Sequence, residues 1–196
     1  MSRATGSDFV VESPILYYNN GALMFEEELT EVAQRQIVMF ELAGEAYGID
    51  LDIVQEVIRV SEITRVPQTP GFVEGVINLR GYVVPVVDMK KRFNLGAVED
   101  SKSARIIIAE VEEQNVGISV DKVLEVVTIS EDSIEPPSPL LRSAIRSDYL
   151  IGFTEINDEL VKLLDFGKIF SSGEIESLRG MDSEGAEPGN AEEGKE

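Results

Sequence analysis

The stretch FVEGVINLRGYVVPVVDM, residues 72–89, decides the fold of this chain. It contains two apolar runs that meet at Arg80 and Gly81. Because glycine adopts a positive φ angle at low cost, the junction predicts a tight β-hairpin with an arginine at its tip. Pro85 cannot donate a backbone hydrogen bond, which predicts an edge position or a β-bulge in the second strand.

A later stretch is a partial copy of the first. YLIGFTEINDELVKLLDF, residues 149–166, aligns with residues 72–89 at an offset of 77. A longer match at an offset of 69 links residues 37–62 with residues 106–131. Identities fall, among other positions, at Gly48/Gly117, Ile49/Ile118, Asp52/Asp121, Val54/Val123, Glu56/Glu125, Val57/Val126, Ser61/Ser130, Glu62/Glu131, Pro67/Pro136, Gly75/Gly152, Val84/Val161 and Asp88/Asp165. Such a repeat indicates an internal duplication.

Each copy consists of short β-rich runs separated by Gly, Pro and Asp, which are too short for βαβ units. About five strands fit into roughly 60 residues, a size at which a small barrel avoids exposed sheet edges. The pattern predicts an all-β domain over residues 36–170, with a first barrel in about 36–103 and a second in about 104–170. Two thin-cored barrels must pack together, and their seam offers a groove for a partner.

Few segments favour a helix, and the best are residues 50–59, 90–93 and 173–179. The N-terminal extension, residues 1–35, has a turn at residues 19–21. Residues 22–35 could form an amphipathic helix with Leu23, Phe25, Leu29 and Val32 on one face, or could fold only with a partner. A short C-terminal helix is expected over 171–180. Residues 181–196 have one large apolar residue and predict a disordered acidic tail.

The chain has no histidine and no cysteine. This excludes His general bases, thiolate nucleophiles, phosphohistidine relays and most zinc sites. The composition does not exclude three other kinds of site: a nucleophilic serine with a lysine, a pair of catalytic carboxylates, and a metal site made of Asp and Glu. Ser61 and Ser130 are interpreted as turn residues, because no His and no placed lysine accompanies them. We therefore expect a protein that is not an enzyme, with no catalytic residue, metal or cofactor.

The formal charge of −20 is distributed as −4 over residues 1–35, −10 over 36–170 and −6 over 171–196. A negative field of this kind repels nucleic acid and anionic lipid heads, so neither is an expected partner. Solubility explains the acidity more simply than an acidic binding surface does. The sequence has no apolar run long enough to span a bilayer and no secretory signal pattern, so a cytoplasmic protein without membrane insertion is expected.

Arg80 is the first candidate for a functional residue. A guanidinium at a hairpin tip needs a partner if it is even partly covered, and Glu56 is a candidate. The alternative is that Arg80 is a solvated turn residue and Glu56 a solvated helix residue. Sequence spacing alone leaves both interpretations open and favours the second.

The block YGIDLDIVQEVIRVSEITRVPQTPGFVEGVINLRGYVVPVVDMKKRF, residues 47–93, resembles the central part of the CheW family of chemotaxis coupling proteins. The similarity spans about residues 36–170, and the combination of VPxxPxFVEGVINLRG with VPVVDM is specific. The resemblance implies two intertwined, SH3-like five-stranded barrels with strands exchanged between them. It also implies a signal-transduction adaptor of a two-component system that holds the histidine kinase CheA to methyl-accepting chemoreceptors in arrays, and that is a monomer when free.

The same resemblance implies a receptor-binding groove between the barrels. Its residues here are Val54, Glu56, Gly75, Asn78, Leu79, Arg80 and Gly81, with a salt bridge between Glu56 and Arg80. The regulatory domain of CheA is expected to bind barrel against barrel, through first-barrel residues that the sequence does not identify and through Leu140 in the second barrel. Family members often carry a basic residue where Glu135 stands here, and they have a shorter N-terminal extension.

Two alternatives remain. A coupling protein of another chemosensory pathway would have the same sequence features. A related chemotaxis protein with a phosphorylatable receiver would need a second domain, for which neither terminal segment has the length or composition. The second hairpin has Asn157 and Asp158 where the first has Arg80 and Gly81, so the receptor contact is predicted on the first barrel.

Overall fold

The computed structural model describes residues 10–184, except residues 12–14, 20–21, 27–28, 31, 97–101 and 140–147. In these residues the strands are β1 (Val10–Val11), β2 (Ile15–Asn19), β3 (Ala22–Glu26), β4 (Leu29–Thr30), β5 (Gln34–Leu42), β6 (Glu45–Asp50), β7 (Val54–Arg59), β8 (Val73–Leu79), β9 (Tyr82–Asp88), β10 (Arg105–Val111), β11 (Gln114–Val120), β12 (Lys122–Ser130), β13 (Leu150–Ile156) and β14 (Glu159–Leu164). Within the described residues, α1 (Met89–Phe93) and α2 (Ser172–Glu184) are α-helices, and 3-10 turns lie at Leu51–Ile53, Glu131–Ser133 and Phe166–Lys168.

Ten of these strands form two sheets of five. The first sheet has the order β7-β10-β11-β9-β8, and the second sheet has the order β12-β5-β6-β14-β13. Each contains one parallel contact, β11 with β9 in the first and β6 with β14 in the second, and its other contacts are antiparallel. The predicted all-β fold with two packed five-stranded units is confirmed.

The two halves of the chain exchange strands. β10 and β11 belong to the second half of the sequence but lie in the first sheet, whereas β5 and β6 belong to the first half and lie in the second sheet. A division of the chain near residue 103 therefore does not separate the two sheets. Each sheet is completed by a hairpin from the other copy of the repeat.

The exchanged strands are buried on both faces, which explains their unbroken apolar runs. Along β5, Ile37 and Met39 pack inside the second sheet, whereas Val38, Phe40 and Leu42 join a core shared by the two sheets. Along β10 the same alternation places Ile106 and Ile108 inside the first sheet, and Ile107, Ala109 and Val111 in the shared core. The sequence repeat is thus also a repeat of packing.

The hairpin between β8 and β9 forms as predicted, but Pro85 does not lie on an edge strand. β9 lies between β11 and β8, and the ladder with β11 begins at Val86. Pro85 is opposite Val76, whose backbone N–H and C=O both bond to Thr64. The missing donor of Pro85 therefore interrupts neither ladder. The bulge in this hairpin lies instead between Val73 and Gly75.

Two predicted helices are wrong. Residues 50–59 form a single 3-10 turn followed by strand β7, because β7 pairs with β10 along its length. Residues 22–35 contain β3, β4 and the start of β5. β3 pairs with β2 and β4 pairs with β1, and both pairs are antiparallel, with Asn19 opposite Ala22. The predicted turn at residues 19–21 includes residues 20 and 21, which lie outside the described residues.

The C-terminal helix is longer than predicted. α2 continues to Glu184, past the expected boundary at residue 180, and Met181 is only 8% exposed because it packs into the shared core. The predicted disorder of the remaining tail concerns residues 185–196, which lie outside the described residues.

Arg92 in α1 fastens α2 to the domain. Its guanidinium forms a bidentate pair with Glu174 at 3.2 Å for both bonds and donates to the carbonyl oxygen of Ile169 at 3.1 Å. The same group lies 4.7 Å from the ring centroid of Phe72, a cation–π distance. One side chain therefore ties α2 to both α1 and the entry of β8.

Candidate functional site

The tip of the first hairpin has a strained but well-supported backbone. Arg80 and Gly81 have φ angles of 54° and 94°, the pattern of a type I′ turn that matches strand twist. The side-chain oxygen of Asn78 accepts a hydrogen bond from the backbone N–H of Gly81 at 2.9 Å. Asn78 thus has a structural task, which is to hold the tip that presents Arg80.

Arg80 contacts Glu56, as the resemblance implied. Its Nη2 lies 2.8 Å from Oε2 of Glu56, while the arginine side chain is 77% exposed and the glutamate 27%. Glu56 lies on β7, and Arg80 directly follows β8. β7 and β8 are the outer strands of the first sheet. After β7 the chain also forms a two-way backbone bridge between Thr64 and Val76 of β8. The sheet therefore curls until its two outer strands approach each other.

Gly75 supports this closure rather than exposing a contact. It is buried, its φ is 149°, and a Cβ there would overlap the carbonyl oxygen of Thr64. At Gly152, its copy in the second sheet, a Cβ would lie 2.5 Å from the carbonyl oxygen of Glu135, which bridges Phe153. Glycine at both positions leaves room for the neighbouring segment to pair with the bulged strand; this segment contains Thr64 in the first sheet and Glu135 in the second.

The other predicted site residues surround the same end of the first sheet. Val54 is half-buried and packs against the shared core, opposite Ala109. Leu79 is half-buried and packs on the interior cluster of the first sheet. The structure therefore brings together Glu56, Leu79 and Arg80 at the surface, with Val54 and Gly75 as support beneath.

Two exposed apolar residues beside this site were missed from the sequence. Val57 is 41% exposed and lies opposite Ile107 of the shared core, so it lies on the face of β7 that points between the sheets. Tyr82 is 76% exposed and forms the cross-strand pair with Leu79. Two features of the sequence could have pointed to these residues. Val57 is identical to Val126 in the repeat, and Tyr82 is an aromatic residue directly after the hairpin tip.

Glu74, the bulged residue of β8, has an unusual electrostatic environment. Burial and the nearby Asp88 carboxylate raise the pKa of Glu74, and Lys91 opposes that increase. Lys91 Nζ lies 3.1 Å from Asp88 and 3.8 Å from Glu74. Asp88 is fully buried and caps α1 by accepting from the backbone N–H of Lys91. One lysine thus serves two carboxylates at the base of the hairpin.

Comparison with known proteins now identifies the family. A family model described as CheW-like domain matches residues 36–174. The chain belongs to the CheW-like family. "Chemotaxis protein CheW" of Treponema pallidum is 30% identical over 172 residues, which cover 86% of this chain and 98% of that protein. The Klebsiella aerogenes protein of the same name is 32% identical over 145 residues, or 74% of this chain and 87% of that protein.

A solved CheW structure agrees with the fold. The scaffolding protein TtCheW from Thermoanaerobacter tengcongensis shares 41% sequence identity with a TM-score of 0.63, over 72% of this chain and 91% of that chain. The chain is therefore a chemotaxis coupling protein of the CheW scaffold type. In the part of the chain that the structure describes, no helix is long and apolar enough to cross a membrane.

The second CheW-like hairpin has the backbone of the first without its chemistry. Asn157 and Asp158 have φ angles of 52° and 65°, again a type I′ turn. Neither residue can supply the cation that Arg80 supplies.

Ser130, one of the serines weighed as a nucleophile, caps the following 3-10 turn by accepting from the N–H of Asp132 at 3.1 Å. Leu140 lies outside the described residues.

Proposed function

We propose that this chain links methyl-accepting chemoreceptors to the regulatory domain of CheA by binding both, and that it carries out no catalysis. The observation that supports the proposal most is the Arg80–Glu56 ion pair at the tip of the first hairpin. The contact with Glu56 uses one of the five guanidinium N–H donors, so Arg80 retains donors for a partner. In a chain of charge −20, a positioned and exposed cation is a specific anchor.

The receptor-binding surface that we propose has polar anchors and an apolar flank. Arg80 and Glu56 set the polar contact, and Leu79 lies beside them. Val57 and Tyr82 extend the surface with exposed apolar area, and Tyr and Arg are the residue types that most often dominate binding energy. Val54, Gly75, Asn78 and Gly81 belong to the same surface as supports of its shape.

The difference between the two hairpins favours the first sheet as the receptor side. Both tips have type I′ backbones, but only the first carries a cation. A receptor segment that pairs with Arg80 would meet Asn157 at the equivalent place on the second sheet, with Asp158 directly after it. The like charge or missing donor there makes the second tip a poor substitute.

The kinase contact that we propose is barrel against barrel. The first-sheet residues of this contact are not assigned. The second contact uses the segment that contains Leu140 and follows Glu135. Because Glu135 is exposed and stands where the family often has a basic residue, we expect the cognate kinase surface to be neutral or basic at that point.

We further infer that the chain acts as a monomer in the cytoplasm and joins receptor arrays there, without entering the membrane. Among its relatives are proteins named CheW and one named Protein FrzA from Myxococcus xanthus, 28% identical over 141 residues. We therefore propose that the cognate kinase, and not the fold of this chain, decides in which chemosensory pathway the chain works.

Titration of the isotope-labelled chain, observed residue by residue by NMR, tests the proposed surfaces. We expect a fragment of the receptor tip to shift the signals of Glu56, Val57, Leu79, Arg80 and Tyr82. The CheA regulatory domain from the same source should shift a different set and leave these five in place. Receptor shifts centred on Asn157 and Asp158 would contradict the assignment.

A further inference from the structure

The two halves of the chain differ in the elements that come after their last strand. After β9 comes the five-residue helix α1, whereas after β14 comes a 3-10 turn and then the 13-residue helix α2. The offset of 77 that relates β9 to β14 also relates Phe93 to Phe170. α1 and the 3-10 turn are therefore equivalent, and α2 has no counterpart among the residues described after α1.

Helix α2 covers one face of the first sheet. It packs on β9, and its residues Ile175, Leu178 and Met181 are 3%, 1% and 8% exposed. These positions, three apart, form one apolar stripe. They belong to the shared core together with Val87 of β9 and Val116 of β11. The first sheet thus shows which kind of element this fold uses to cover that face.

The equivalent face of the second sheet holds an open cavity of about 200 Å³. Its lining includes Tyr47, Phe93, Phe153 and Lys162. By the repeat offsets, Tyr47 corresponds to Val116, Phe153 to Val76 and Lys162 to Pro85. In the first sheet Val116 and Pro85 are buried and Val76 packs against the cluster that contains α2.

Exposed apolar surface continues beyond the cavity. Phe153 lies opposite Lys162, and Leu160 is two residues from Lys162 on the same strand, so all three lie on one face. Leu160 is 58% exposed, and Phe93 and Phe153 are half-buried. Half-buried rings beside an exposed leucine form the kind of patch that marks a contact surface.

We propose that the surface around this cavity, formed by Phe153 and Leu160 of the second sheet and Phe93 of α1, binds a short amphipathic helix of another polypeptide, as α2 covers the first sheet. The helix would carry large apolar residues at positions i, i+3 and i+6. An apolar cavity of about 150 Å³ accommodates a benzene ring, so this one accepts a leucine or phenylalanine side chain.

The charges around the cavity support an apolar ligand. Lys162 is already paired with Glu45 at 2.7 Å and lies 4.9 Å from the ring centroid of Tyr47. A docking helix therefore needs no acidic residue to neutralise it. A second copy of this chain is disfavoured as the source of the helix, because each copy carries a charge of −20. The proposal does not depend on the receptor site, which lies on the first sheet.

A synthetic helix tests this proposal directly. The probe is a peptide of residues 171–184, SSGEIESLRGMDSE, with blocked ends and a staple between positions 176 and 180 to hold it helical. Titrated into the labelled full chain, it is expected to shift the signals of Phe93, Phe153 and Leu160 with saturation. The signals of Leu178 in the chain's own helix are expected to stay in place.

Matched variants distinguish specific binding of the peptide at this surface from non-specific binding. Leu160→Lys is expected to weaken the peptide at least about tenfold, because it places a charge in the apolar contact. Val126→Lys changes a residue that is 52% exposed on β12 and is expected to leave binding unchanged. A peptide with serine at positions 175, 178 and 181 is expected not to bind. Absence of saturable shifts at millimolar peptide, or shifts confined to α2, would overturn the proposal.

Discussion

The guanidinium of Arg80 lies 2.8 Å from the carboxylate of Glu56, although Glu56 lies on one outer strand of a five-stranded sheet and Arg80 directly follows the other. The contact exists because the sheet curls, and Thr64, in the segment that follows β7, forms a backbone bridge to Val76 of β8. It presents an exposed cation on a rigid hairpin, and this geometry leads to the first prediction.

Reversal of the Arg80–Glu56 pair separates binding from stability. Because Arg80 is 77% exposed, we expect Arg80→Glu and Glu56→Arg each to lower the free energy of unfolding by no more than about 1 kcal/mol. Each is expected to abolish measurable receptor binding. The double exchange restores the ion pair but moves the cation from the tip, so it should recover stability without binding. Recovery of full binding would show that only the pair, and not the position of the arginine, matters.

A substitution at Gly75 tests the closure of the first sheet. Gly75→Ala places a Cβ against the Thr64 carbonyl at a positive φ, and we expect it to lower stability by about 3 kcal/mol or more. Gly71→Ala is the matched control, because Gly71 has an ordinary φ and open space around it. Chemical denaturation of both variants provides the comparison. Equal effects at the two glycines would contradict the described approach of Thr64.

The half-buried carboxylate of Glu74 at the bulge predicts a pH dependence. The pKa of Glu74 is raised above its ordinary value of 4.5, chiefly by burial and then by Asp88. An acid whose pKa is higher in the folded state contributes stability that is present at low pH and is lost as the pH rises through the folded pKa. Glu74→Gln is therefore expected to be more stable than the wild type at pH 7.5, and the difference should vanish below pH 4.5.

Denaturation at several pH values, with Glu176→Gln as an exposed control, measures this difference. The carboxyl carbon shift of Glu74 gives its pKa independently. A variant that is less stable than the wild type at pH 7.5 would mean that the pairing of Glu74 with Lys91 outweighs burial.

The attachment of α2 depends on Arg92. Arg92→Ala removes the bidentate pair with Glu174, the bond to the Ile169 carbonyl and the stacking on Phe72. We expect a loss of about 2 to 3 kcal/mol and faster hydrogen exchange in α2. Arg59→Ala, at an exposed position of β7, is the control and should change neither. Unchanged exchange in α2 after loss of Arg92 would disprove the fastening role.

The sequence was most informative where a local rule and the repeat agreed. The hairpin at Arg80 and Gly81 was predicted from turn chemistry, and the two five-stranded units were predicted from the duplicated pattern. Residues 50–59 were expected to be helical. Yet the repeat aligned residues 54–59 with residues 123–128, which lie in a β-rich run of the second copy. Alignment with the second copy of the repeat predicted the secondary structure of these residues better than local propensity did, since β pairing overrides local propensity.

Other features could not be derived from local sequence patterns, and the strand exchange and the Arg80–Glu56 salt bridge were expected only from the family resemblance. The exchange of strands between sheets depends on long-range pairing, such as β10 with β7, that local patterns do not encode. The distance between Arg80 and Glu56 likewise depends on how far the sheet curls. The exposure of Val57 and Tyr82 is decided by which neighbours cover them, and an apolar residue in a strand is by default expected in the core.

Receptor-dependent activation of the kinase tests the central claim most directly. Purified CheA and receptor-containing vesicles from the same source are mixed with increasing amounts of this chain, and kinase autophosphorylation is measured. We predict strong activation only when all three components are present, a large loss of activation with Arg80→Ala, and no ATP turnover by the chain alone. Absence of activation by the folded chain at any concentration, or ATP turnover without kinase, would contradict the account.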